Sequence, residues 1–491
     1  MTPSAAGASR SSDTSRLRRF LAIDEREAFI ERAQTPLGQL AIALIALLAI
    51  AGHLGTWQAV LAVAAAMSAV IWTNARAAIL FSATWLMAFL ETGLGGNDTL
   101  DRITAVLHQE QLPDAAAIPL AIGWLLLVLL GSVVALQWVR RRPQSMLARR
   151  PLVTLLALEA LLCGVASLSG VAGLPRAMLW SAVFVLTPYI WFLPYAIVDQ
   201  RSRDPNSALT QLGTLRPFWS PSYLPFGKGA AFLRKSLSKT PAELAVTQLK
   251  AVKLLLWANA LFVLRDALIW LFNDTLQIPR LGDAIDAFVA GQPYALPTAW
   301  AALILSMAKL SLQIAMWAHL FIGIARLAGY RLPRGSWRPL ESRTLMDYFN
   351  RFHYYFKELL VDFFFVPTFF KVFRNHQQLR MFFATFMAAG VGNALWHFVR
   401  DIDLISTLGL GAAAETFSSY LVYSAVLATG VGLSQLRANL GHRPSATLAG
   451  RIYSFCFVWW FVTCLHIFGD ASRDHTLGER TSFLVSLFGF I

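Results

Sequence analysis

Two histidines in an otherwise apolar chain are the residues whose type and setting could do chemistry. His397 closes the run Ala388-Ala389-Gly390-Val391-Gly392-Asn393-Ala394-Leu395-Trp396. Glycine and alanine let neighbouring helices approach closely, so this spacing predicts a histidine facing the interior of a helix bundle. His353 ends Asp347-Tyr348-Phe349-Asn350-Arg351-Phe352, inside an aromatic stretch that also carries charges. A neutral imidazole in a membrane cavity can take a proton from a hydroxyl near neutral pH, which is general-base chemistry. Taken alone, either histidine reads first as a hydrogen-bonded core residue.

Glu91, Glu159, Arg265, Asp266, Lys309, His319, Glu415 and His466 also fall at membrane depth, where charge is costly and therefore a candidate for function. Arg265 and Asp266 sit near a span end and read as snorkelling or mutually paired. Glu159 and Glu415 read equally as buried structural carboxylates or as parts of a polar cavity, and His466 as interfacial. Lys309 shares its span with Ser306, Ser311 and Gln313, which predicts a wet interior face. Cys163, Cys456 and Cys464 show no CxxC or CxxH spacing, so neither a disulfide framework nor a metal site is expected.

The elements that must position these residues follow from composition. The chain has 491 residues, 56% hydrophobic and only 14% charged, against about 25% charged in soluble proteins. A bilayer-crossing helix needs roughly 20 apolar residues. Segments of that kind fall at 38–55, 57–75, 77–93, 116–139, 152–173, 176–198, 251–273, 298–325, 379–399, 405–434 and 452–469. The expected fold is therefore an all-α polytopic membrane protein of about eleven transmembrane helices plus re-entrant or interfacial helices. Its organisation would be a cytoplasmic tail (1–36, with a short amphipathic piece and no cleavable signal), N-terminal membrane helices (37–200), a cytoplasmic or interfacial segment (201–250, with an amphipathic run around Leu233–Leu249), a core (251–470) and a C-terminal tail (471–491). Within the core, 342–378 is too polar to span and is expected to re-enter, where irregular backbone is tolerated.

Charge sets the orientation. Loop 140–150 carries Arg140, Arg141, Arg142, Arg149 and Arg150 and no acid, and 199–253, 326–343 and 435–451 are also basic. The alternate loops 94–115 and 274–297 are acidic. Lys and Arg accumulate on the cytoplasmic side, which predicts a cytoplasmic N-terminus. The net charge of +14 is then a topology signal, and bases scattered over separate loops do not form a nucleic-acid surface. The Ala- and Trp-rich spans suit a bacterial inner membrane.

Beyond these patterns, Ile322-Gly323-Ile324-Ala325-Arg326-Leu327-Ala328-Gly329-Tyr330-Arg331-Leu332-Pro333, then Arg338-Pro339-Leu340, Ser342–Asp347 and Phe349-Asn350-Arg351-Phe352-His353 follow one another in order. Leu359–Pro367 and Leu395-Trp396-His397 come next. The series resembles the bacterial branch of the membrane-bound O-acyltransferase (MBOAT) family, which includes alginate O-acetylases and teichoic acid D-alanyl transferases. The likeness covers about 298–400, and the 44-residue gap between the histidines is of the family's size. Phe398 stands where the family has glycine, and 316–323 lacks the family's acids.

The resemblance implies a helical bundle around a tunnel in which an acyl thioester, from acyl-CoA or an acyl carrier protein, meets a hydroxyl acceptor such as a cell-envelope glycan or lipid. It implies His397 as the base and His353 as a positioning or charge-stabilising partner, with no bound cofactor. Asn350, Arg351, Asn393, Trp396, Lys309 and Gln313 become candidates for the tunnel. Lys228, Arg234 and Lys235 become candidates for meeting an anionic donor, their other reading being lipid headgroup contact. The lipid bilayer and an envelope protein are expected partners. Two further classes stay open: an inactive scaffold of the same fold, favoured by Phe398, and a transporter, which inverted repeats would favour and none is visible.

Overall fold

The structure is a computed structural model that describes residues 22–94, 98–220, 222–469 and 475–490. Most of the expected 1–36 tail therefore lies outside the described residues. Among those described, the fold is helical throughout, with a lone antiparallel bridge between Leu237 and Tyr330. Helices dominate because hydrocarbon offers no partner for backbone N–H and C=O groups, and a helix satisfies them within itself. Helix starts are written locally: Thr35, Ser145, Thr240, Thr344 and Thr476 each accept a bond from an N–H in the first turn.

The eleven expected segments fall on helical stretches, but 152–173 outruns its helix, which ends at Ala166, and 176–198 is broken between Leu174–Tyr189 and Leu193–Gln200. Among the described residues, eight helices are long and apolar enough to cross a membrane, or up to nine when Leu174–Tyr189 and Leu193–Gln200, bent by 61°, count as one broken span. Thr56–Ile71 and Pro151–Ala166 hold 16 residues each. At 1.5 Å per residue such a helix rises about 24 Å, short of a hydrocarbon core about 30 Å thick.

Polar contacts tie the loops together. At one end Arg201 donates to the Ala148 carbonyl (2.8 Å), and Arg331 pairs with Glu243 (3.2 Å). At the other Arg176 pairs with Glu110 (3.0 Å), Arg102 with Asp403 (3.4 Å) and His475 with Asp286 (2.8 Å). Basic loops thus contact basic loops, 140–150 and 326–343 both meeting 199–253.

Four segments between and around the long helices take forms of their own. The amphipathic run around Leu233–Leu249 is divided: Ala230–Ser236 is one short helix, and Pro241 begins the helix Pro241–Leu268. Proline fits the first helical turn because its missing N–H would have no partner there. The amphipathic piece near the N-terminus is the helix Glu27–Ala33, preceded by the buried Asp24, which pairs with Lys253. The 471–491 tail holds Leu477–Ser486, a helix with a capping box that packs on Leu281–Val289. Segment 342–378 is broken into short helices, Leu345–Phe352, Tyr354–Leu360 and Val366–Phe369, with a π-helical turn at Val361–Phe365.

Candidate functional site

The small-residue run forms a π-helical turn, Met387–Gly392, followed by the helix Asn393–Arg400 that carries His397. It packs against the π turn Val361–Phe365. A Cβ on Gly392 would stand 2.8 Å from the ring of Phe364, and one on Gly390 would stand 3.1 Å from Ala428 Cβ. Glycine is what allows this approach, and π turns recur at functional sites.

Along Asn393–Arg400 each residue advances about 100°, so Asn393, Trp396, His397 and Arg400 share one face. Three of them hold buried polar atoms without a hydrogen-bond partner among the described residues: Asn393 Oδ1, Trp396 Nε1 and His397 Nδ1. A buried polar group left unpaired costs about 1–3 kcal/mol, and three within two turns mark a place where folding alone does not account for the residues chosen.

Aromatic rings enclose the imidazole of His397. Tyr420 stacks on it at 4.6 Å, Trp396 meets it edge-on at 5.0 Å and Tyr423 at 5.9 Å. Arg400 fixes this wall. Its Nε and Nη2 bond both carboxylate oxygens of Asp401 (2.8 and 2.6 Å), and Nη2 also donates to the Tyr420 hydroxyl (2.9 Å). Sequence reasoning missed Arg400, Asp401, Tyr420 and Tyr423. The signal for the first two was available, since they lie three and four residues after His397, where a helix brings side chains together.

His353 occupies the break between Leu345–Phe352 and Tyr354–Leu360, at φ −123° and ψ 50°. The chain is held there because the next N–H, that of Tyr354, leaves the helix pattern to donate to the Gly335 carbonyl (3.1 Å). Rings of Phe352 (4.4 Å), Phe349 (5.9 Å) and Phe356 (6.3 Å) surround it. Burial pushes the imidazole down to about 4, so it is neutral at ordinary pH. Phe356 lies 6.3 Å from His353 and 5.0 Å from Trp396 between ring centroids, and so joins the surroundings of the two histidines.

The other candidates lie elsewhere. Arg351 is tied to Asp347 (2.6 Å) and rests over Trp337 (5.1 Å), which pins its own loop. Asn350 is exposed and lines a cavity of about 260 Å³ with Lys357, Glu358, Thr385 and Gln435. Lys309 donates to Asn273 Oδ1 (3.2 Å), beside a bond between Ser306 and His466 (3.0 Å); Gln313 is exposed. Arg265 and Asp266 lie 3.8 Å apart as a pair, His319 bonds the Ala315 carbonyl, and Glu415 is exposed.

Lys228 does not stand free for an anionic donor. Its ammonium lies 2.8 Å from Glu358 and 3.0 Å from Asp362, and Asp362 also accepts from the Tyr195 hydroxyl (3.0 Å). Burial opposes charge on both members, yet their mutual hydrogen bonding outweighs it, holding Glu358 below its ordinary value and Lys228 above. The cluster locks loop 222–229 onto the broken segment. Arg234 pairs with Asp204 (2.8 Å), and Lys235 is exposed on the same short helix. Among the described residues no group of histidines, cysteines and carboxylates has the arrangement of a metal site. No family model matches the chain, and no curated protein matches it either.

Proposed function

We propose that this integral membrane protein is an O-acyltransferase of MBOAT type, moving an acyl group from a cytoplasmic thioester donor to the hydroxyl of an envelope glycan or lipid. The observation that carries the reading is the row of unpaired polar atoms on one helix face, Asn393 Oδ1, Trp396 Nε1 and His397 Nδ1. They supply the three groups the reaction asks for. The imidazole takes the proton as the hydroxyl oxygen attacks the thioester carbonyl. The indole N–H, which can only donate, meets the oxygen that becomes negative. The amide oxygen accepts a bond from the acceptor. The new C–O bond forms as C–S breaks, and the imidazolium returns its proton to the leaving thiolate. A general base contributes about 10²–10⁴ in rate and one donor at a developing oxyanion about 10²–10³.

In this reading the protein lies in a bacterial inner membrane with its N-terminus in the cytoplasm. Acyl-CoA or an acyl carrier protein approaches the basic end, where Lys235 keeps an exposed charge. The tunnel is the space that opens when the aromatic cover, above all Tyr420, swings away from His397.

A second reading, an inactive scaffold of the same fold, is favoured by the aromatic enclosure itself. Among the described residues, neither imidazole lines the cavities of about 260, 640, 480 and 460 Å³. The deciding experiment compares acylated envelope glycan and lipid in cells bearing wild type, a deletion or His397→Ala at matched expression. Loss of the same acyl group in the deletion and in His397→Ala supports catalysis. An acyl group lost in the deletion but kept by His397→Ala rejects His397 as the base, and no acyl change in the deletion favours the scaffold.

A further inference from the structure

The helix that carries His397 has a second working face. Leu395, Phe398, Val399 and Ile402 point away from the unpaired polar row and line a cavity of about 640 Å³, closed on its other side by helices Pro151–Ala166 and Leu174–Leu186. Ligand pockets in proteins run to about 300–1,000 Å³ with mostly apolar walls and a few placed polar groups, and this cavity has that form. Two of its lining residues, Leu168 and Leu410, are 56% and 63% exposed, so its mouth lies on the apolar outer surface. Gly164 and Gly409 also line it, and a Cβ on either would meet no atom within 4 Å.

The polar groups in this wall are specific. Glu159 is 1% exposed. The Thr187 hydroxyl lies 2.6 Å from Glu159 Oε1 and 2.7 Å from the Val183 carbonyl, and it has one hydrogen to give. The second contact requires the carboxyl's own proton, which leaves a neutral acid whose remaining lone pairs are acceptors. Arg176 has its charge matched by Glu110 (3.0 Å), while its Nε is buried without a partner. An acceptor, a spare donor and no net charge define the occupant.

We propose that this cavity binds an uncharged, hydroxyl-bearing single-chain lipid drawn from the surrounding bilayer, its chain against Leu395, Phe398 and Val399 and its hydroxyl on Glu159. The cavity lies on the opposite face of the helix from His397, so its occupant is read by labelling and not by acyl transfer.

The test uses the full chain in phosphatidylcholine nanodiscs and a diazirine-bearing hexadecanol, with labelled peptides mapped by mass spectrometry. Labelling is expected to concentrate in 156–168 and 395–410, about tenfold above the lipid-facing helix Pro36–Leu54, and to be displaced by hexadecanol but not by hexadecane. Gly164→Leu, or Ala160→Leu should the first not fold, fills the cavity and removes that excess. Glu159→Leu abolishes the preference for the alcohol over the alkane. Uniform labelling, unchanged labelling in a folded filling variant, or an alcohol preference that survives Glu159→Leu overturns the proposal.

Discussion

Asn393→Leu separates a functional asparagine from a structural one by the sign of its effect. Asn393 is 1% exposed and its Oδ1 is unpaired. Leucine is similar in size and carries no polar atom, so the substitution removes a penalty of about 1–3 kcal/mol for a buried unsatisfied group. A stabilisation of that order is expected. An asparagine kept for structure has the opposite sign, because side-chain hydrogen bonds inside membrane bundles contribute about 0.6 kcal/mol on average and their loss strands the partner. The assay is unfolding of purified wild type and variant in matched nanodiscs, with envelope acylation measured in cells in parallel. The expected pair of results is a more stable protein with no acyl transfer. A variant that is less stable and fully active would refute the argument from unpaired atoms.

Three further outcomes follow from the same geometry. His397→Ala is expected to lower acyl transfer about 10²–10⁴-fold, measured as acyl groups released from the envelope, with no loss of folded protein. Gly392→Ala places a methyl 2.8 Å from Phe364 and should destabilise by about 1–3 kcal/mol of overpacking, whereas Gly131→Ala, with nothing within 4 Å, should gain up to about 1 kcal/mol of helix propensity; thermal unfolding of the two variants reads the contrast. The Lys228–Glu358 pair predicts a pH dependence. A carboxyl held below its ordinary 4.5 adds stability that is complete above that value and is lost as pH falls through its lower folded value, so wild type should lose stability below about pH 4.5 more steeply than Glu358→Gln.

Hydropathy made the helical membrane fold legible, because it is local: an apolar run declares its own burial. Contacts across long sequence distances were not legible. Lys228 reads as a free cation until Glu358, 130 residues away, is folded against it. Tyr420 reads as one more aromatic in a long apolar helix until Arg400 bonds its hydroxyl. Pro241 was the reverse case, a local signal placed inside an amphipathic run although its fixed backbone angle favours the start of a helix. Asn393, Trp396 and His397 lie on one helix, where sequence spacing carries relative geometry directly.

Phe398 shows how the same spacing changes the meaning of a departure. The family proposed for this chain has glycine there, and read along the sequence a phenylalanine next to the candidate base looks like an obstruction. On the helix the two side chains diverge by about 100°. Phe398 lines the 640 Å³ cavity and packs on Phe417 at 4.5 Å. Phe417 in turn touches Tyr420 at 6.2 Å, and Tyr420 stacks on His397. The phenylalanine therefore braces the imidazole's aromatic wall from behind, and what encloses His397 is Tyr420, Tyr423 and Trp396. Opening the site is then a matter of moving Tyr420, whose hydroxyl is held by Arg400. Tyr420→Phe keeps the ring and drops that hold, so under the acyltransferase reading it loosens the cover and raises access to His397, while Phe398→Gly removes the brace and leaves the cover in place.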